Sequence, residues 1–190
     1  GLIDPAEVEK AITSKTKAIV PVHLEGKVCN MSALLDVLER ALKRGQVIRL
    51  VEDAAQAIGA TYGVGKVGGY SDLGCFSLYP AKIFGTFGNA GMVMTNDDEL
   101  AYKVSQLRCN WRFEKDPEKI DYGMNFEPDN AWAAVLNVRK KYLPEYLKRR
   151  EEVAQIYLKE LQVLEDRGLI KLPLNQLGRV WQDFTIRVNG

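Results

Sequence analysis

The chain has 190 residues, 46% of them hydrophobic and 27% charged, with 26 basic and 25 acidic side chains that leave a net charge of +1. This is an ordinary globular composition, long enough for one sizeable core. The balanced charge gives no electrostatic case for nucleic acid or an anionic membrane, and no apolar stretch approaches the roughly 20 residues that span a bilayer.

Asp4-Pro5-Ala6-Glu7 has the form of a helix start, with an N-cap, proline at the first helical position and glutamate at the third. The helix is expected to run to about Ile12. Residues 17–23 (KAIVPVH) form a β-rich apolar run and read as a buried strand. Leucines at helical spacing over 32–44 predict a second helix, with Gly45 as its C-cap, and 47–52 predict the next strand. Helix and strand thus alternate, which points to βαβ units and a mainly parallel sheet flanked by helices.

Further on, 59–74 reads as loop, 75–78 as a short strand, 84–91 as a glycine-rich loop and 92–95 as a strand. Asn96 is expected to cap a helix over 97–107, with Asp97, Asp98 and Glu99 favouring its N-terminus. Residues 109–126 make a long polar, aromatic connection of the kind that is usually functional or mobile. A helical pattern begins near Asp129, breaks at Pro144 and continues to about Leu164. Residues 172–178 read as loop and the last stretch from Trp181 as strand. The Lys148-Arg149-Arg150 run, followed by Glu151-Glu152, reads as a solvated helix face. The absence of an initial Met and the strand-like runs near both ends suggest a piece of a longer protein.

Cys29, Cys75 and Cys109 are far apart and in no ligand spacing. They are expected to be reduced thiols of a cytoplasmic protein, with neither a disulfide framework nor a metal site. No signal-peptide pattern opens the chain. His23, the single histidine, sits on an apolar run and reads as a satisfied core residue, so no histidine-based triad can be built. The glycine loop at 85–91 lacks the Gly-Lys-Ser/Thr ending of a P-loop.

The chemistry-bearing order is an acid, a hydroxyl and an amine. Asp53 ends a strand, where ligands of such sheets sit. Ser77 and Lys82 lie in Ser-Leu-Tyr-Pro-Ala-Lys, between two glycine-rich stretches. A lysine can hold pyridoxal phosphate (PLP) as a Schiff base, an acid can keep its pyridine nitrogen protonated and a serine can bind its phosphate. Ala55 is small enough to lie against a ring, and Gln56 can donate to a phenolic oxygen. Asp53 reads equally as an N-cap for 54–58, and Lys82 taken alone reads as a surface lysine.

Together these motifs resemble the DegT/DnrJ/EryC1/StrS family of PLP-dependent aminotransferases of nucleotide-linked keto-sugars. The resemblance runs from Leu2-Ile3-Asp4-Pro5 and the stretch ending at His23 through Glu52-Asp53-Ala54-Ala55-Gln56 and Ser77–Lys82. It continues through Gly91-Met92-Val93-Met94-Thr95-Asn96-Asp97 to Gly123-Met124-Asn125 and Ala133-Ala134.

The resemblance implies a fold type I transferase: residues 1–128 as the later part of the large PLP-binding domain, and 129–190 as linking helices and the start of a smaller C-terminal domain. It assigns Lys82 as the Schiff-base lysine, Asp53 as the pyridine-nitrogen partner, Ala55 against the ring, Gln56 on the ring hydroxyl and Ser77 on the phosphate. It sets Asn125 against the cofactor phosphate of a neighbouring subunit in a homodimer with shared sites. A lysine where sugar dehydratases of the family carry histidine favours transamination, with L-glutamate as the expected amino donor and a nucleotide-diphosphate keto-sugar as acceptor.

Three departures from the family pattern bear on substrate: Glu127 where an arginine or lysine is usual, Cys109-Asn110-Trp111 where a histidine is usual, and Gly-Asn-Ala-Gly in the glycine loop. A non-catalytic regulatory protein on the same fold, or a PLP enzyme of another reaction class, are the alternatives.

Overall fold

A computed structural model describes residues 1–189. Helix α1 (Pro5–Ala11) begins where the Asp4 carboxylate accepts from the Ala6 N–H, and Pro5 occupies the position that needs no donor. Helix α2 (Met31–Lys43) is capped by Asn30, and buries Met31, Leu34, Val37 and Ala41 along one stripe. That stripe packs on a sheet of order β1-β2-β5-β6: β1 (Ala18–Ile19), β2 (Arg49–Asp53), β5 (Leu73–Ser77) and β6 (Gly91–Met94). The first three strands run parallel and β6 closes the row antiparallel. This is the mixed α/β architecture that helix–strand alternation predicts.

Strands β2 and β5 show why the sheet has two different faces. Leu50, Glu52, Gly74 and Phe76 point into the core, while Val51, Asp53, Leu73, Cys75 and Ser77 lie on a half-open face. The period of two places the acid and the hydroxyl on the same side.

Several expectations need correction. The run 17–23 forms only the two-residue strand β1, because Pro21 has no N–H to give; beyond it Val22 makes one isolated bridge to Asp53, and Val20 and Val22 are exposed. The stretch 59–74 contains a small hairpin, β3 (Thr61–Tyr62) with β4 (Gly65–Lys66). Asp97, not Asn96, caps α3 (Asp98–Arg108), its carboxylate accepting from the N–H groups of Glu99 and Leu100.

Helix α4 (Asn130–Arg139) passes through a 3₁₀ turn, Lys140–Tyr142, into α5 (Leu143–Asp166), so Pro144 opens a helix rather than interrupting one. The final strand is short. Only Arg187–Val188 (β8) pairs, with β7 (Ile170–Lys171), and residues 179–182 pack as an irregular buried segment. Among the described residues no helix is long and apolar enough to cross a membrane.

Candidate active site

Asp53 closes β2, where its backbone bridges two neighbours: its N–H donates to the Pro21 carbonyl and its own carbonyl accepts from the His23 N–H. One carboxylate oxygen accepts from the Ala55 N–H at 3.0 Å and so caps the turn that follows. No helix forms over 54–58, and the second oxygen is left available. Asp53 pairs in register with Cys75, and the Cys75 thiol is pushed up first by burial and then by the Asp53 charge. Ser77 lies two residues further along the same face. Its Oγ accepts from the Tyr79 N–H at 3.3 Å, which leaves its own proton free to donate.

Lys82 sits at the apex of the link between β5 and β6. The Lys82 N–H donates to Tyr79, the Gly85 N–H to Lys82 and the Thr86 N–H to Leu78, so two tight turns stack and close on the strand end. Gly85 makes this possible, because a Cβ there would lie 2.2 Å from the Tyr79 carbonyl oxygen. Ile83, 3% exposed, anchors the turn in the core, and Lys82 itself is half-buried. Acid, hydroxyl and amine therefore sit at the carboxyl edge of two adjacent parallel strands.

Ala55 and Gln56 follow Asp53 at the same edge. The Gln56 side-chain oxygen accepts from the Glu25 N–H at 2.6 Å, which leaves the amide N–H₂ as a donor. Asn125 is exposed on the connection after α3, fixed by a backbone bridge to Cys109. It lines a cleft of about 1190 Å³ beside β6, and no hydrogen bond joins it to Lys82, Asp53 or Ser77. Glu127 is engaged by two arginines, Arg112 at 3.2 Å and Arg108 at 3.9 Å.

One polar network escapes sequence reading. His23 and Glu52 are both fully buried and joined at 3.0 Å. The Cys29 N–H donates to His23 Nδ1, which puts the ring proton on Nε2, facing Glu52. Burial opposes the Glu52 charge, but bonds from His23, the Gly68 N–H, Ser71 and the Tyr70 N–H outweigh it and hold the carboxyl below its usual range. This charge lies behind the strand, on the face opposite Asp53, and supports the floor of the site.

The family model of the DegT/DnrJ/EryC1/StrS aminotransferase family matches residues 1–190. The chain belongs to that family. It is 39% identical over 185 residues to dTDP-3-amino-3,4,6-trideoxy-alpha-D-glucose transaminase of Streptomyces venezuelae, covering 97% of this chain and 47% of the relative. It is 39% identical over 188 residues to a pleiotropic regulatory protein of Geobacillus stearothermophilus, covering 97% and 48%. The crystal structure of NtdA from Bacillus subtilis with bound cofactor PMP superposes with a TM-score of 0.87 at 36% identity, over 99% of this chain and 42% of that one. The family member thus has the fold type I transferase architecture and spans about half the length of the relatives it matches.

Proposed function

We propose that this family member is part of a PLP-dependent aminotransferase that moves an amino group from an amino acid, L-glutamate on family grounds, to a keto group of a nucleotide-diphosphate sugar. The observation that carries the reading is the common edge: Asp53 at the end of β2, Ser77 at the end of β5 and Lys82 on the turn immediately beyond. The unused groups there fit the cofactor. Asp53 offers a free carboxylate oxygen, Ser77 a hydroxyl proton, Gln56 an amide N–H₂ and Lys82 an amine on a constrained turn.

When bound, PLP supplies an aldehyde that condenses with an amine with loss of water, and a ring that takes up the electron pair of a carbanion. Lys82 Nζ would hold it and then carry the proton between donor carbon and cofactor. Asp53 would keep a proton on the ring nitrogen through a charge-assisted hydrogen bond. Ser77 would bind phosphate oxygen, Gln56 the ring hydroxyl, and Ala55 would lie against the ring. Asn125 would serve the phosphate of the partner's site in a homodimer, which agrees with its exposed place away from Lys82. We place the division between large and small domains at 128/129, and the protein in the cytoplasm, where its three free thiols stay reduced.

The test is the visible spectrum of the protein that carries this chain after mixing with PLP, beside Lys82→Ala. A band that borohydride bleaches, with the added mass on Lys82, is the expected result. Absence of the band overturns the aminotransferase reading. It would leave a non-catalytic regulatory protein on the same fold, the reading favoured by the Geobacillus relative's name and by the pairing of Glu127 with Arg108 and Arg112.

A further inference from the structure

The Lys82 turn does not hold itself. Its internal bonds leave the Ala81 carbonyl and the Ile83 N–H, the groups that flank the lysine on either side, without a local partner. Both are satisfied by one side chain from the far end of the chain. Gln182, 8% exposed, accepts from the Ile83 N–H at 3.2 Å and donates to the Ala81 carbonyl at 3.2 Å. Arg139 of α4 donates to two further carbonyls of the turn, Ile83 at 3.4 Å and Gly85. Gln182 is itself held, because Arg150 of α5 donates to the backbone carbonyls of Trp181 and Gln182, and Trp181 Nε1 donates to Glu151.

We propose that Gln182 is a positioning residue for Lys82: its carboxamide grips the peptide groups on both sides of the lysine and ties the register of the amine to α5. The proposal rests on the reading that Lys82 carries the cofactor. A carboxamide is neutral and donates from one atom while accepting at another, and so can satisfy a carbonyl and an N–H two residues apart. Reactive groups need support of this kind, since small displacements of a reacting atom cost large factors in rate.

The test uses the protein that carries this chain, freed of cofactor and then mixed with PLP, unsubstituted and as Gln182→Leu and Gln182→Glu. The readouts are amide exchange at Ile83, the rate of cofactor capture on Lys82 trapped by borohydride, and the thermal midpoint. In Gln182→Leu, exchange at Ile83 should rise at least tenfold above the change at core amides, and capture should slow at least tenfold. Gln182→Glu keeps the acceptor and should restore most of the Ile83 protection. Unchanged exchange and capture in Gln182→Leu overturn the proposal, and so does a uniform rise in exchange along the chain with a matching fall in midpoint. Should Gln182→Leu fail to fold, Arg150→Lys, which loosens the 181–182 backbone from α5, is read the same way: a selective rise at Ile83 supports the clamp and none overturns it. If unsubstituted Lys82 captures no cofactor, the aminotransferase reading fails, while exchange at Ile83 still decides whether the clamp exists.

Discussion

Asp53 and Cys75 face each other across two parallel strands, so the thiol reports on the carboxylate. Replacing Asp53 with Asn removes the charge that disfavours the thiolate. Cys75 should then be alkylated by iodoacetamide severalfold faster at pH 8.5, with Cys29, held up to about 11 by burial, as the unreactive internal reference. Glu52 sets a different pH dependence. Its folded value lies below the ordinary 4.5, so its contribution to stability is complete above about pH 4.5 and is lost as pH falls through the folded value. Urea midpoints measured from pH 7 downward should hold to near pH 5 and then drop. In Glu52→Ala the cost at neutral pH should be at least about 1–3 kcal/mol, because the His23 ring N–H and two backbone N–H groups lose their acceptor in a buried place. The places of Asp53 and Ser77 at strand ends, and of Lys82 just beyond, were legible because strand ends can be read from apolar runs. Gln182, Arg139 and the His23–Glu52 pair were not, since partners far apart in sequence leave no period. The one signal was a glutamine inside the apolar stretch around Trp181.

Among the elements, α2 and α3 are held by different forces. α2 owes its place to the buried stripe, so Leu34→Ala should cost about 2–5 kcal/mol in urea unfolding. α3 buries no residue fully and depends more on its start: Asp97→Ala should cost about 1 kcal/mol, while Asn96→Ala should be near neutral. That contrast also shows where sequence reading stops. Two adjacent residues, both good caps, differ only in which one turns its side chain to the first free N–H groups. The helix starts were placed within about one or two residues because apolar spacing and capping chemistry agree, whereas the break expected at Pro144 falls earlier, at the turn Lys140–Tyr142. The strands at 17–23 and 181–188 were overextended, because an apolar run does not say whether a neighbour is there to pair with.

At the scale of the molecule, the sheet ends on β6, whose residues are all exposed, with Met92, Val93 and Met94 beside a cleft shared with Tyr122 and Phe126. An apolar edge strand of this kind invites pairing with another chain. The 190-residue chain alone should scatter light more strongly as its concentration rises, and Val93→Lys should lower that scattering while leaving the far-ultraviolet circular dichroism unchanged. The order of synthesis adds a constraint of another kind. The two bonds from Gln182 reach back across 99 and 101 positions. A ribosome adding about 5–20 residues each second takes roughly 5–20 s to cover that span. Lys82 therefore leaves the ribosome long before its clamp has been made, and any ligand that needs the lysine in its final register must wait until translation has passed residue 182.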